Sequence, residues 1–123
     1  LGRPLDRARH AWMNPSAMMY ARIWRGRTPR DKADEYERYW LANGAKPLQD
    51  RGARAVQMLR EDRDTETEFV TISYWESIAA MGAGPDPTRT HHLPRDPEFL
   101  IELPHHVQIL TVLETHGHIG EDK

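Results

Sequence analysis

No cysteine occurs among the 123 residues. That absence excludes disulfides, thiolate zinc sites and cysteine nucleophiles together. No apolar run approaches the ~20 residues that carry a helix across a bilayer. No basic segment leading into an apolar run reads as a signal peptide, so a cytoplasmic location without a membrane partner is expected. Charge of one sign is also lacking: 17 Lys and Arg against 19 Asp and Glu leave a net charge of -2. This balance gives no electrostatic reason to expect nucleic acid. A glycine-rich phosphate loop, a Gly-x-Ser-x-Gly elbow and a His-Glu-x-x-His helix are missing too. What is present, 38% hydrophobic and 29% charged residues, suits one folded domain.

The order of residues divides the chain into three parts. Residues 1–17 carry Pro4, Asn14 and Pro15 and keep neither a helical nor a strand period, so a loose extension is expected there. Residues 18–115 hold the patterned domain, and 116–123 read as a polar tail. Met18 to Arg25 alternates as a strand, with Tyr20, Arg22 and Trp24 on one face and Met19, Ala21 and Ile23 on the other. Thr28-Pro29-Arg30-Asp31 reads as a capping box opening a helix through Ala33, Tyr36, Tyr39 and Trp40. Asn43-Gly44 and then Pro47 read as its stops. Gly52 to Arg60 and Glu68 to Trp75 read as strands joined by a polar hairpin. Ser77 caps a short helix through Met81. Thr88 to Arg95 is a loop holding His91 and His92, Asp96-Pro97 starts a brief helix, and His105 to Leu113 is the last strand.

This order predicts an α+β, ferredoxin-like βαββαβ protomer with a four-stranded antiparallel sheet and its helices on one face. A sheet with one wet face alternates apolar and polar residues. These strands carry apolar side chains on both faces, for example Trp24 against Ile23 and Phe69 against Val70. Burying each large side chain is worth roughly 1.5–3 kcal/mol. A second copy covering the bare face is therefore expected, as a homodimer.

Several residue types carry candidate chemistry. A neutral histidine can take a phenolic or carbon-bound proton near neutral pH, which makes His92 and His91 candidate bases. The bland alternative is a pair of solvated loop histidines. His105 and His106 open a strand, where at most one could face a pocket. His116 and His118 make an incomplete metal site, so no metal is expected. Arg22, between Tyr20 and Trp24, is a candidate stabiliser of an enolate, phenolate or carboxylate, or else the partner of Glu68 or Glu114. Trp24, Tyr36, Trp40 and Trp75 suit the walls of a site for a flat aromatic substrate, or plain core packing.

The phrases Tyr20-Ala-Arg-Ile-Trp-Arg-Gly26, Asp34-Glu-Tyr-Glu-Arg-Tyr39, Phe69-Val-Thr-Ile-Ser-Tyr-Trp-Glu-Ser77 and Pro94-Arg-Asp-Pro-Glu-Phe-Leu100 together resemble the antibiotic biosynthesis monooxygenase (ABM) family. The resemblance implies a dimeric α/β barrel with a pocket between sheet and helices in each protomer. It implies a monooxygenase without a bound cofactor, acting with dioxygen on a small aromatic or enolic molecule. Within it, His92 or His91 would be the base, Arg22 the anion stabiliser and the four aromatic residues the walls. The family also has a haem-degrading branch with an Asn on the first strand, a Trp after the third and a His beyond. Here Ile23 stands for the Asn and Ala83 or Gly84 for the Trp, while His91 or His92 can stand for the His. Haem is thus the alternative cofactor, and a non-catalytic dimeric ligand-binding domain is the alternative function.

Overall fold

The computed structural model describes residues 19–82 and 84–117. The expectations for the extension, for Ala83 and for His118 onward lie outside the described residues. Strand β1 (Met19–Pro29) leads through a 3-10 turn (Arg30–Lys32) into helix α1 (Ala33–Asn43) and then helix α2 (Lys46–Arg51). Strands β2 (Ala55–Asp62) and β3 (Glu66–Trp75) follow, then a 3-10 turn (Ala79–Met81), a one-turn helix α3 (Asp96–Phe99) and strand β4 (Gln108–Val112). The four strands form one antiparallel sheet in the order β2-β3-β1-β4. This is the ferredoxin-like order. No helix among the described residues is long and apolar enough to cross a membrane.

Strand β1 is central, so its side chains have neighbours on both flanks. Arg22 lies opposite Ser73 and Ile109, and Trp24 opposite Thr71. Trp24, Ala33, Tyr36, Trp40, Phe69 and Phe99 belong to one buried cluster between this face and the helices. Tyr36 meets the Phe69 ring edge-on at 5.0 Å, and Trp40 does the same at 5.1 Å. Such pairs add about 0.5–1.5 kcal/mol beyond burial. The glycine at 26 has a local cause. A Cβ there would stand 2.5 Å from Cη2 of Trp24, so only glycine lets that indole lie back along its own strand.

The opposite face carries Ile23, Leu59, Val70, Ile72, Tyr74, Leu110 and Val112, in register across all four strands. Leu59 and Leu110 are each 45% exposed. The apolar composition that the sequence pattern predicts for both faces is therefore kept in the folded sheet, and this second face is exposed in the single chain.

Three local expectations need correction. Thr28 does not cap the helix: it is fully buried inside β1 opposite Thr67, and its hydroxyl donates to the Pro29 carbonyl. The helix starts only at Ala33, because Pro29 stays extended with ψ of 148°. Pro47 is not a stop. It occupies the first turn of α2, where a missing N–H costs nothing, and Gly52 closes that helix with φ of 115°. The last strand is shorter than expected. His106 makes only an isolated bridge to Arg89, and pairing with β1 runs over Gln108–Val112.

Candidate functional site

Between the sheet and the helices lies a cavity of about 420 Å³. That size falls within the ~300–1,000 Å³ usual for small-molecule sites. Its sheet floor is Arg22, Trp24 and Thr71, and α1 contributes Tyr36 and Trp40. Pro47, Leu48 and Arg51 of α2 form one side. The loop Thr90-His91-His92-Leu93 and the carboxylate of Asp96 form the other.

The loop is stitched in place by backbone bonds. Thr90 N–H donates to the His105 carbonyl at 2.9 Å, and Val107 N–H donates to the Thr88 carbonyl at 2.6 Å. Further along, Arg95 N–H donates to the Tyr39 hydroxyl, and the Arg95 guanidinium sits 5.1 Å from the Phe99 ring centre and 5.4 Å from that of Tyr39. The segment bearing the two histidines is thereby tied both to the approach to β4 and to α1.

Arg22 is 7% exposed, and its Nη2 donates to Thr90 Oγ1 at 2.9 Å. Among the described residues no carboxylate pairs with it. The alternative partner Glu68 is engaged by Arg63 at 2.8 Å, and Glu114 by His116 at 2.6 Å. Burial, with the nearby charge of Arg51 adding to it, lowers the Arg22 guanidinium to about 10. It is still a cation at neutral pH. A guanidinium has five N–H donors, so donors beyond the Thr90 bond are available to a ligand.

His92 stands at the exposed mouth, with Nδ1 3.0 Å from the Leu93 carbonyl. A carbonyl only accepts, so Nδ1 donates this bond and Nε2 is the ring nitrogen left to meet a ligand. His91 lines the same mouth and is also exposed. Asp96 is the single lining carboxylate, and both its oxygens are used. Oδ1 accepts from the Tyr36 hydroxyl at 3.0 Å and Oδ2 from Leu93 N–H at 2.9 Å. Burial raises the Asp96 carboxyl above the usual range, opposed by those two bonds and by the charge of His92. Burial, followed by the Asp96 charge, pushes the Tyr36 phenol up in turn. The pair is a proton-holding strut between α1 and α3.

Arg22, Trp24, Tyr36, Trp40, His91 and His92 are thus brought to one cavity. Trp75 is not. It is fully buried in a separate cluster with Leu48 and Met81, and its Nε1 donates to Ser73 Oγ at 2.9 Å. It shares the helix-side face but sits at the end of β3 that α2 and the 3-10 turn cover, which keeps it off the cavity wall. His105 and His106 are exposed and do not line the cavity, and His116 is exposed near the chain end. No cluster of three metal-ligating side chains occurs among the described residues. Sequence reasoning missed Arg51, Thr71, Thr90 and Asp96. Asp96 was visible only as a cap, and Arg51 was hidden because Pro47 read as an end rather than a beginning.

Haem fits these residues poorly. Ile23, which stands for the haem branch's Asn, points to the face of the sheet away from the cavity. Gly84, one of the two positions that could stand for its Trp, has no side chain to offer.

A model of the family described as antibiotic biosynthesis monooxygenase matches residues 19–83, more than half of the chain. Among solved structures, a Bacillus cereus protein assigned by name to the antibiotic biosynthesis monooxygenases is similar in fold, with a TM-score of 0.55 at 12% identity. The match covers 84% of this chain and 100% of that one. Comparison with curated proteins found no match. With the family match spanning β1 through β3 and the fold agreeing, the chain belongs to the antibiotic biosynthesis monooxygenase family.

Proposed function

We propose that this protein is a monooxygenase that uses dioxygen to oxidise a flat aromatic or enolic molecule in the cavity, without a bound cofactor. The observation that carries the proposal is Arg22, a buried cation on the central strand with no carboxylate partner among the described residues, aimed into a space walled by Trp24, Tyr36 and Trp40. A cation so placed favours an anion forming beside it, and the low dielectric strengthens that effect.

His92 Nε2 takes the acidic proton of the substrate, and Arg22 holds the resulting oxyanion. The anion gives one electron to dioxygen, and the radical and superoxide join at carbon. The peroxide then loses water to leave a carbonyl. Overall, a ring CH2 and O2 become C=O and H2O, so atoms and the four electrons balance. The aromatic walls keep water from the reactive anion. The apolar outer face of the sheet supports the homodimer as part of the same proposal, with Leu59 and Leu110 covered by a second copy.

The test is oxygen uptake by purified, chelator-treated protein given a panel of hydroxyanthrones and dihydroxynaphthalenes. Uptake is expected to match ketone or quinone formation one to one, and to fall at least about a hundredfold in His92→Ala and Arg22→Gln. No uptake above the buffer rate across the panel, with binding retained, refutes the oxygenase and favours a ligand-binding domain.

A further inference from the structure

We propose that the molecule bound in this cavity carries a permanent carboxylate, and that Arg51 at the rim is the residue that selects it. The inference rests on the cavity being the ligand site of the preceding section and deepens it by naming the ligand's charge class.

The charge inventory of the cavity supports the proposal. Two guanidinium groups, Arg22 and Arg51, line one space of about 420 Å³. They lie close enough for the charge of Arg51 to act on Arg22. Neither is joined to a carboxylate among the described residues. Arg27, Arg54, Arg60, Arg63 and Arg95 each hold a carboxylate at 2.9 Å or less, whereas Arg25, Arg38 and Arg89, which likewise have no carboxylate partner among the described residues, do not line the cavity. Asp96 pairs with neither guanidinium: its two oxygens accept from the Tyr36 hydroxyl and from Leu93 N–H. Two like charges facing one low-dielectric space repel each other, and an incoming anion removes that cost.

One forming oxyanion accounts for one cation. A neutral phenol or enol would arrive in a site of two positive charges and leave Arg51 unanswered. A carboxylate on the same ring system answers it, because the planar guanidinium fork matches a carboxylate with two parallel N–H bonds. The placement fits as well. Arg22 is at the buried floor beside the aromatic walls, whereas Arg51 is exposed at the end of α2, with its Cδ within 3.6 Å of where a Cβ on Gly82 would stand. A rigid aromatic acid would lay its ring against the cavity-facing edges of Trp24 and Trp40, which pack on each other at 6.4 Å, and turn its carboxylate toward the rim. Other anions would meet the same two cations, but the aromatic walls favour a ring-borne acid over a free inorganic ion.

The experiment compares 1-hydroxy-2-naphthoate with its neutral methyl ester and with 1-naphthol, by calorimetry on the full chain. The acid is expected to bind at least about tenfold more tightly than either neutral probe, the worth of one charge-assisted hydrogen bond. Arg51→Gln should erase that preference without changing the affinity for 1-naphthol, Arg51→Lys should restore part of it, and the exposed Arg38→Gln should leave it whole. Equal binding of acid and ester, or a preference that survives Arg51→Gln, overturns the proposal. Oxygen uptake with 1,4-dihydroxy-2-naphthoate and with dihydroxynaphthalene separates the two claims. Selective binding of the acid without any uptake upholds the carboxylate and refutes the oxygenase, whereas uptake with the neutral diol and no acid preference does the reverse.

Discussion

Tyr36→Phe removes one oxygen atom from the middle of the structure, and its cost should depend on pH in a definite direction. The Tyr36 hydroxyl donates to Asp96 Oδ1 at 3.0 Å, and both residues are essentially inaccessible to solvent, at 0% and 1% exposed. Without it, the buried carboxylate keeps only the Leu93 N–H. A hydrogen bond to a charged group contributes about 1.5–3 kcal/mol, and a neutral one about 0.5–1.5 kcal/mol. The deficit should therefore be about 2–3 kcal/mol where Asp96 is a carboxylate. Burial raises the folded-state Asp96 above its unfolded value of 3.8. Stability from the protonated form is thus fully present below that value and is lost as pH climbs through the folded one. The Tyr36 bond holds the folded value down, so the variant loses more on the climb, over a wider window. Its deficit should shrink toward about 1 kcal/mol as pH falls from 7.5 toward 4 and Asp96 takes up its proton, because the bond lost is then a neutral one. Urea unfolding followed by tryptophan fluorescence, at fixed protein concentration and at both pH values, measures this. Tyr39→Phe serves as a control, because that hydroxyl accepts an exposed Arg95 N–H. A deficit equal to the control, or one that grows toward pH 4, refutes the coupling between Tyr36 and Asp96.

Three further outcomes follow from particular contacts. Gly26→Ala places a Cβ 2.5 Å from the Trp24 ring, so stability should fall by about 1–3 kcal/mol and the Trp24 emission should shift as the indole moves toward the cavity; an unchanged melt and spectrum would show that the indole is not pinned there. Arg22→Met removes a buried cation that has no carboxylate partner among the described residues, so the variant should be as stable as the parent or up to about 2 kcal/mol more so while losing anion binding; a marked loss of stability would mean that Arg22 is a structural strut. Replacing Leu59 and Leu110 together by Glu should convert the sedimenting species from dimer to monomer with the fold retained by circular dichroism; a parent that already sediments as a monomer contradicts the covered sheet face.

The fold was legible because alternation reports strands whichever face is buried. The even residues of β1 and the odd residues of β3 turn toward the helices as their pattern implies, and both faces of the sheet are indeed apolar. The helix boundaries were less legible for physical reasons. Thr28 has the right spacing for a cap, but β1 continues through it, and the ladder with Thr67 outcompetes a local capping bond. Proline is equally suited to following a helix and to its first turn, so the sequence around Pro47 does not say which applies. That ambiguity concealed α2, and with it Arg51. Arg22, Trp24, Tyr36 and Trp40 could be grouped because strand and helix periods put them on inward faces. Trp75 follows the same rule, yet it lies elsewhere. Periodicity gives the face of a residue but not its position along the sheet. Asp96 shows a similar limit: a cap signal in sequence became a buried acid bonded backward to Leu93 and across to Tyr36.

The central claim is that the cavity inserts oxygen from dioxygen into an aromatic anion held by Arg22. Labelling tests it most directly: chelator-treated protein turning over a hydroxyanthrone under oxygen-18 gas in ordinary water, with the product read by mass spectrometry. One labelled atom is expected in each new carbonyl, with Arg22→Gln forming at least about a hundredfold less of that product. Product carrying oxygen from water, or label that enters equally well in the variant, would contradict the claim.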